Sequence, residues 1–221
     1  MTQNIQGKIS LVVTTYLAVN HLALVMRSLA DLRERVEQIV IVGDGSREST
    51  RELIDDFRNQ ITVPVVFCWQ PDKGFRLARS RNLGLLKITS RWVIYLDGDC
   101  MIPSDFIDRV KSLLEPNSLI VGSRKLLSEY STQCLFELNN SKPERVRLQP
   151  FFSGRKFWSV PLGFLRIWPG RGAKSVRGFL MIFEAEMAKL IGGFDETFWH
   201  SFTNYWIRTS TIVILARTCL L

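Results

Sequence analysis

Residues 91–100, RWVIYLDGDC, carry an apolar run straight into Asp97-Gly98-Asp99. Two carboxylates separated by one residue at a strand end can offer oxygens to a single hard divalent cation. Mg2+ or Mn2+ held in this way keeps coordination positions for phosphate oxygens. An isolated Asp-x-Asp is more often an ordinary exposed turn, and its place at the end of an apolar strand is what favours a site here. A second acid, Asp44 in QIVIVGDGS (38–46), sits where a carboxylate can accept hydrogen bonds from a ribose hydroxyl or a base N–H. The third cluster, QPDKGFRLARSRNLG (70–84), brings Arg76, Arg79 and Arg81 within a turn and a half of helix. At least one of them is expected to face the carboxylates or a ligand phosphate. Asn82 adds an amide beside them.

The elements that must position these groups alternate. KISLVVTTY (8–16), QIVIVGDGS (38–46), VPVVFCWQ (63–70), RWVIYL (91–96) and SLIVGSR (118–124) are short, apolar and rich in β-branched residues, as strands buried on both faces are. Between them lie helical patterns over 20–36, from STRELIDDF, over 76–88 and over 103–115, with Asn20 and Ser49 expected as N-caps and Pro103 near the start of the last. In the first helix Leu22, Val25, Met26 and Leu29 share one face. Strand and helix in this order predict an α/β fold with a mostly parallel sheet, and ligands then belong at the carboxyl ends of the strands. Thr14 and Tyr16 lie after the first such run, Asp44 after the second, and Asp97 and Asp99 after the fourth. Residues 126–176 are expected to form a long functional loop, and 175–196 a strand, a short helix and a Gly-Gly stop. No G-x-G-x-x-G follows the first strand, where the sequence reads TTYLAVNHL, which counts against a dinucleotide cofactor.

At 221 residues the chain fits one sizeable domain, and its 46% hydrophobic content argues against disorder. The net charge of +8 suits an anionic partner. Charge is concentrated from Lys142 to Arg177, where nine Lys or Arg face one acid, Glu144. A solvated loop and an anion-facing surface are both compatible with that run. The four cysteines, Cys68, Cys100, Cys134 and Cys219, have no zinc-like spacing; with the polar N-terminus they point to a reducing, cytoplasmic setting. The apolar C-terminal stretch is too short to span a bilayer. No nucleic-acid-binding motif accompanies the charge, so nucleic acid is not expected as a partner.

ISLVVTTY, IVIVGDGS, WQPDKGFRLARSRNLG, WVIYLDGDCMIPSDFI, VGSR and VRGFLMIFEAEMAKLIGGFDE occur in the order and spacing of family 2 glycosyltransferases with the GT-A fold. The resemblance covers roughly residues 8–198 and is nearest to bacterial cell-surface and lipopolysaccharide-type members. It implies a donor-binding half over 1–125, an acceptor-side half with a mobile basic loop over 126–198, and an atypical tail over 199–221. It implies a nucleotide-sugar donor, such as a UDP-sugar, with Thr14, Tyr16 and Asp44 on the base and ribose, and Asp72, Arg81 and Asn82 organising the donor pocket. Asp97 would lie by the ribose or metal, and Asp99 would ligate Mn2+ or Mg2+ on the diphosphate. The acceptor would be a glycolipid or oligosaccharide at the inner face of the plasma membrane, approached through the basic 142–177 segment. Transfer would invert the anomeric carbon.

Two departures from that pattern stand out. Leu17-Ala18-Val19 replaces the Asn and Pro that commonly follow the first strand. After GGFDETF, relatives continue into a Glu-Asp pair that supplies the general base, whereas here WHSFTNYWIRTSTIVILARTCLL contains no acid after Glu196. The tail thus resembles a frameshifted or truncated end. Asp195 and Glu196 are the nearest remaining carboxylates for a catalytic role, with His200 a weaker candidate. The competing expectations are therefore a transferase, a nucleotide-sugar-binding remnant impaired in catalysis, and a basic nucleic-acid-binding module.

Overall fold

The computed structural model describes residues 7–123, 126–140, 178–197 and 216–220. Strands β1 (Ile9–Tyr16), β2 (Gln38–Asp44), β3 (Val65–Gln70), β4 (Trp92–Asp97), β5 (Leu119–Ser123), β6 (Leu180–Glu184) and β7 (Ala216–Leu220) form one sheet, in the order β3-β2-β1-β4-β6-β5-β7. Helices α1 (Val19–Leu29), α2 (Glu48–Arg58), α3 (Leu77–Leu85), α4 (Phe106–Lys111), α5 (Glu129–Asn140) and α6 (Ala185–Leu190) accompany them. The pairs β1–β2, β1–β4, β2–β3 and β5–β7 are parallel, while β6 runs antiparallel to both β4 and β5. The expected α/β, mostly parallel sheet is thus observed, with one reversed strand.

Strand alternation sorts the apolar residues into two cores. On one face Leu11, Val13, Ile39, Ile41 and Ile94 pack under Leu22, Val25 and Leu29 of α1, Ile54 and Phe57 of α2, and Phe106, Ile107 and Val110 of α4. On the other face Val12, Val40, Val42, Val93, Tyr95 and Met181 pack under Ala78 and Leu85 of α3 and Ala185 and Ala188 of α6. Full burial of each such Val, Leu, Ile or Met side chain contributes roughly 1.5–3 kcal/mol. Gly84 lets α3 sit close to the sheet, because a Cβ there would lie 2.4 Å from Val12 Cγ1.

Several local expectations are corrected. Asn20 and Ser49 lie inside helices rather than capping them. α1 begins after Ala18 and α2 after Arg47, and neither cap makes a side-chain hydrogen bond. The pattern over 20–36 breaks at Leu29 into a 3₁₀ turn, Ala30–Arg35. The helix expected over 103–115 begins only at Phe106, whose N–H bonds back to Pro103. Part of the expected 126–176 loop is α5. Among the described residues no helix is long and apolar enough to cross a membrane. The basic 142–177 segment, His200 and the tail before Ala216 lie outside the described residues.

Candidate functional site

The strand order reverses between β1 and β4, and open α/β sheets bind ligands at the carboxyl ends of the strands beside such a switch point. Register decides which side chains stand there. Tyr16 pairs with Asp44, Asp44 with Gln70, and Thr14 with Asp97. Counting in twos from Val12, Val42, Cys68 and Tyr95 puts all five side chains on the α3 face. Thr14, Tyr16, Asp44 and Asp97, separated by up to 83 positions in sequence, therefore share one surface at one end of the sheet.

Helix α3 lays its basic residues over this row, and all three arginines meet carboxylates. Arg76 Nη2 lies 3.4 Å from Asp44 Oδ1, Arg81 Nη2 lies 3.2 Å from Asp97 Oδ1, and Arg79 Nη1 lies 3.8 Å from Glu196 Oε2. Arg81 is fully buried and also donates to Gly178 O at 2.6 Å. Burial pulls its guanidinium below the ordinary arginine value, and Asp97 opposes that pull. Its Nε and Nη1, the Nε of Arg76 and Gln70 Oε1 are buried without a hydrogen-bond partner among the described residues. Tyr95 donates its hydroxyl to Arg81 O at 3.0 Å, and burial raises its phenol pKa.

Asp72 stands across the mouth. Its Oδ2 accepts from the Tyr16 hydroxyl at 3.1 Å, and its Oδ1 from Gly74 N at 3.1 Å. Tyr16 is half-exposed, and the bond to Asp72, followed by that carboxylate's charge, raises its pKa. Asp97-Gly98-Asp99-Cys100 forms a turn closed by Cys100 N to Asp97 O at 3.0 Å, with Asp99 exposed and accepting from Cys100 Sγ. Gly98 serves the packing on β1: its N–H bonds Thr14 O at 2.7 Å, and a Cβ there would lie 2.8 Å from the same oxygen.

Two exposed-end carboxylates suit a hard cation in ligand chemistry. Among the described residues no cluster of three or more His, Cys, Asp or Glu could hold a metal unaided. Asp99 and Asp97 would supply at most two protein carboxylates to such a cation, and one Asp97 oxygen already faces Arg81 at 3.2 Å.

The other expected residues lie at the edge of this row. Asn82 bonds Phe194 and Glu196. Asp195 Oδ1 accepts from Thr197 N at 2.9 Å and Thr197 Oγ1 at 2.7 Å. Sequence reasoning missed Gln70, which is buried and donates to Ser80 Oγ at 3.0 Å. The signal was available: a polar residue ends the otherwise apolar β3 and shares parity with Asp44.

The family model described as Glycosyl transferase family 2 matches residues 10–158. Chondroitin synthase of Escherichia coli is 27% identical over 122 residues, which are 54% of this chain and 18% of that protein. Among solved structures, S. aureus TarS 1-349 in complex with UDP-GlcNAc matches with a TM-score of 0.60 at 16% identity, covering 90% of this chain and 52% of the other. Mannosyltransferase PcManGT from Pyrobaculum calidifontis, in complex with GDP-Man and Mn2+, matches with a TM-score of 0.56 at 16% identity, covering 86% and 48%. These likenesses establish a shared GT-A fold. The chain spans under a fifth of the curated relative and about half of each solved one.

Proposed function

Because this chain belongs to glycosyl transferase family 2, we propose that it moves a sugar from a nucleotide-sugar donor, in the first instance a UDP-sugar, to a hydroxyl of a glycolipid or oligosaccharide. The observation that carries this reading is the shared face of Tyr16, Asp44, Thr14 and Asp97 at the strand-order reversal, with α3 arginines above it. Asp44 and Asp72 offer acceptors for ribose hydroxyls and base N–H groups, and the exposed Tyr16 ring offers a stacking surface. Arg76 and Arg81 hold the carboxylates in place and set a positive field behind them. A divalent cation held by Asp99, with Asp97 beside it, would neutralise charge growing on the departing diphosphate.

In an inverting displacement the acceptor oxygen bonds the anomeric carbon as the bond from that carbon to the diphosphate oxygen breaks. The diphosphate leaves with the electron pair, and a carboxylate takes the acceptor proton. Of the two carboxylates proposed for that proton, Glu196 is the more exposed, at 44% for its side chain, with Oε1 accepting from Asn82 and Oε2 3.8 Å from Arg79, while Asp195 is half-buried with Oδ1 bonded to Thr197. The acceptor half, a membrane-facing role for the basic 142–177 segment and a site at the inner face of the plasma membrane belong to the same proposal. Their support is the run of nine basic residues.

A panel of UDP-, GDP-, CDP- and ADP-sugars tests the reading through thermal unfolding. A ligand at about 100 times its Kd stabilises the folded state by about 2.7 kcal/mol. One nucleotide class should raise Tm and the others should not. No shift with any member would reject a nucleotide-sugar donor.

A further inference from the structure

The turn over residues 191–197 brings the end of α6 onto α3, and one side chain holds it there. Asn82 Oδ1 accepts from Phe194 N at 2.8 Å, and its Nδ2 donates to Phe194 O at 2.9 Å and to Glu196 Oε1 at 2.8 Å. Both amide donors are therefore spent on the turn. The turn is shaped to receive this amide. Gly193 adopts φ +76°, and a Cβ there would lie 2.5 Å from Asn82 Oδ1. Phe194, 3% exposed, then packs against the Tyr95 ring at 5.2 Å and beneath the Arg81 guanidinium at 5.4 Å. Arg81 is the residue that holds Asp97. A single amide thus connects the turn carrying Glu196 to the arginine that fixes a strand-end carboxylate.

We propose that Asn82 is a positioning residue, a latch that docks the 191–197 turn on α3 and acts through Glu196 and Phe194 rather than by touching the donor. This replaces the donor-pocket role that the family resemblance implies for it. Its consequence for turnover rests on the transferase reading above. With the latch open, Asp44, Tyr16 and Asp72 keep their places, and Arg81 keeps its bonds to Asp97 and Gly178 O. Donor binding should therefore survive while the acceptor-side carboxylate loses its fixed place. Displacement by even about 1 Å can cost on the order of 10²-fold in rate.

The latch can be opened from either side, by Asn82→Ala or by Gly193→Ala. Hydrogen exchange on the peptide covering 191–197 should quicken at least about tenfold in both. The Kd for UDP with Mn2+ should stay within about threefold of the full wild-type chain. Release of UDP from the donor identified by the panel should lose about tenfold or more in kcat with donor KM unchanged. The double variant should be no worse than the poorer single one, as expected for two halves of one contact. Slow exchange in both variants would overturn the latch. So would a tenfold weaker UDP Kd in Asn82→Ala with exchange unchanged, which would make Asn82 a donor ligand. If the wild-type chain binds no nucleotide, the transferase reading fails, and exchange in the two variants still decides whether the latch exists.

Discussion

Among the described residues Arg81 is the largest fully buried side chain after Trp92, and it is charged. A guanidinium in that position is tolerated because Asp97 and Gly178 O meet it. Arg81→Met should cost about 1.5–3 kcal/mol in urea unfolding, since Asp97, 28% exposed, and Gly178 O lose a charged donor; a change under about 1 kcal/mol would mean that the pair is not structural. The Tyr16–Asp72 bond makes a pH prediction. The neutral phenol donates to a charged carboxylate, so the folded state keeps its proton beyond the ordinary value of 10.0. The contribution to stability is complete below that value and is lost as pH climbs through the raised folded pKa. In an ultraviolet titration, Asp72→Asn should move one tyrosine transition down toward 10.0. An unchanged titration would show that the bond does not form in solution. The sequence alone put three arginines within a turn and a half of helix and expected at least one to face the carboxylates or a ligand phosphate. It could not assign Arg76 to Asp44 or Arg81 to Asp97, because those pairs depend on the strand register beneath α3.

At the scale of elements, α3 carries the site, and its closeness to β1 depends on Gly84. Gly84→Ala would force a Cβ to within 2.4 Å of Val12 Cγ1. The helix must then lift, at a cost of roughly 1–3 kcal/mol, and Arg76 and Arg81 lift with it. Unfolding midpoint and nucleotide affinity should fall together; loss of stability with full affinity would separate the helix from the site. The strands were legible because residues such as Leu11 to Val13 and Ile39 to Val42 are apolar and mostly β-branched on both faces. Strand direction was not, and β6 reads as an ordinary strand while running antiparallel. Helix α5 was missed for a physical reason. Leu135 is its one buried residue, and the short run Tyr130, Cys134, Leu135 and Leu138 at helical spacing went unread among the loop residues around it. The displaced helix starts have a similar cause: neither Ala18 nor Arg47 is a capping residue by composition.

Across the whole molecule, the fold and the grouping of strand-end residues follow from motif order, whereas residues 126–176 lack the periodicity that made the first half legible and leave the acceptor unread. The net charge of +8 and the 142–177 run make one prediction at this scale. Binding to phosphatidylglycerol-containing vesicles should rise with anionic content and weaken from low to high salt, as screened surface charge requires. Binding indifferent to both variables would leave that segment an ordinary solvated one. The central claim is that the strand-end row binds a nucleoside diphosphate with a divalent cation. Calorimetric titration of UDP into the chain, in Mn2+ and in EDTA, tests it most directly, with Asp44→Ala and Asp99→Ala alongside. The wild type should bind at least about tenfold more tightly in Mn2+, Asp99→Ala should abolish that difference, and Asp44→Ala should weaken binding in both media, since a hydrogen bond to a charged group is worth about 1.5–3 kcal/mol. Equal affinity in Mn2+ and EDTA, or binding untouched by Asp44→Ala, would contradict it.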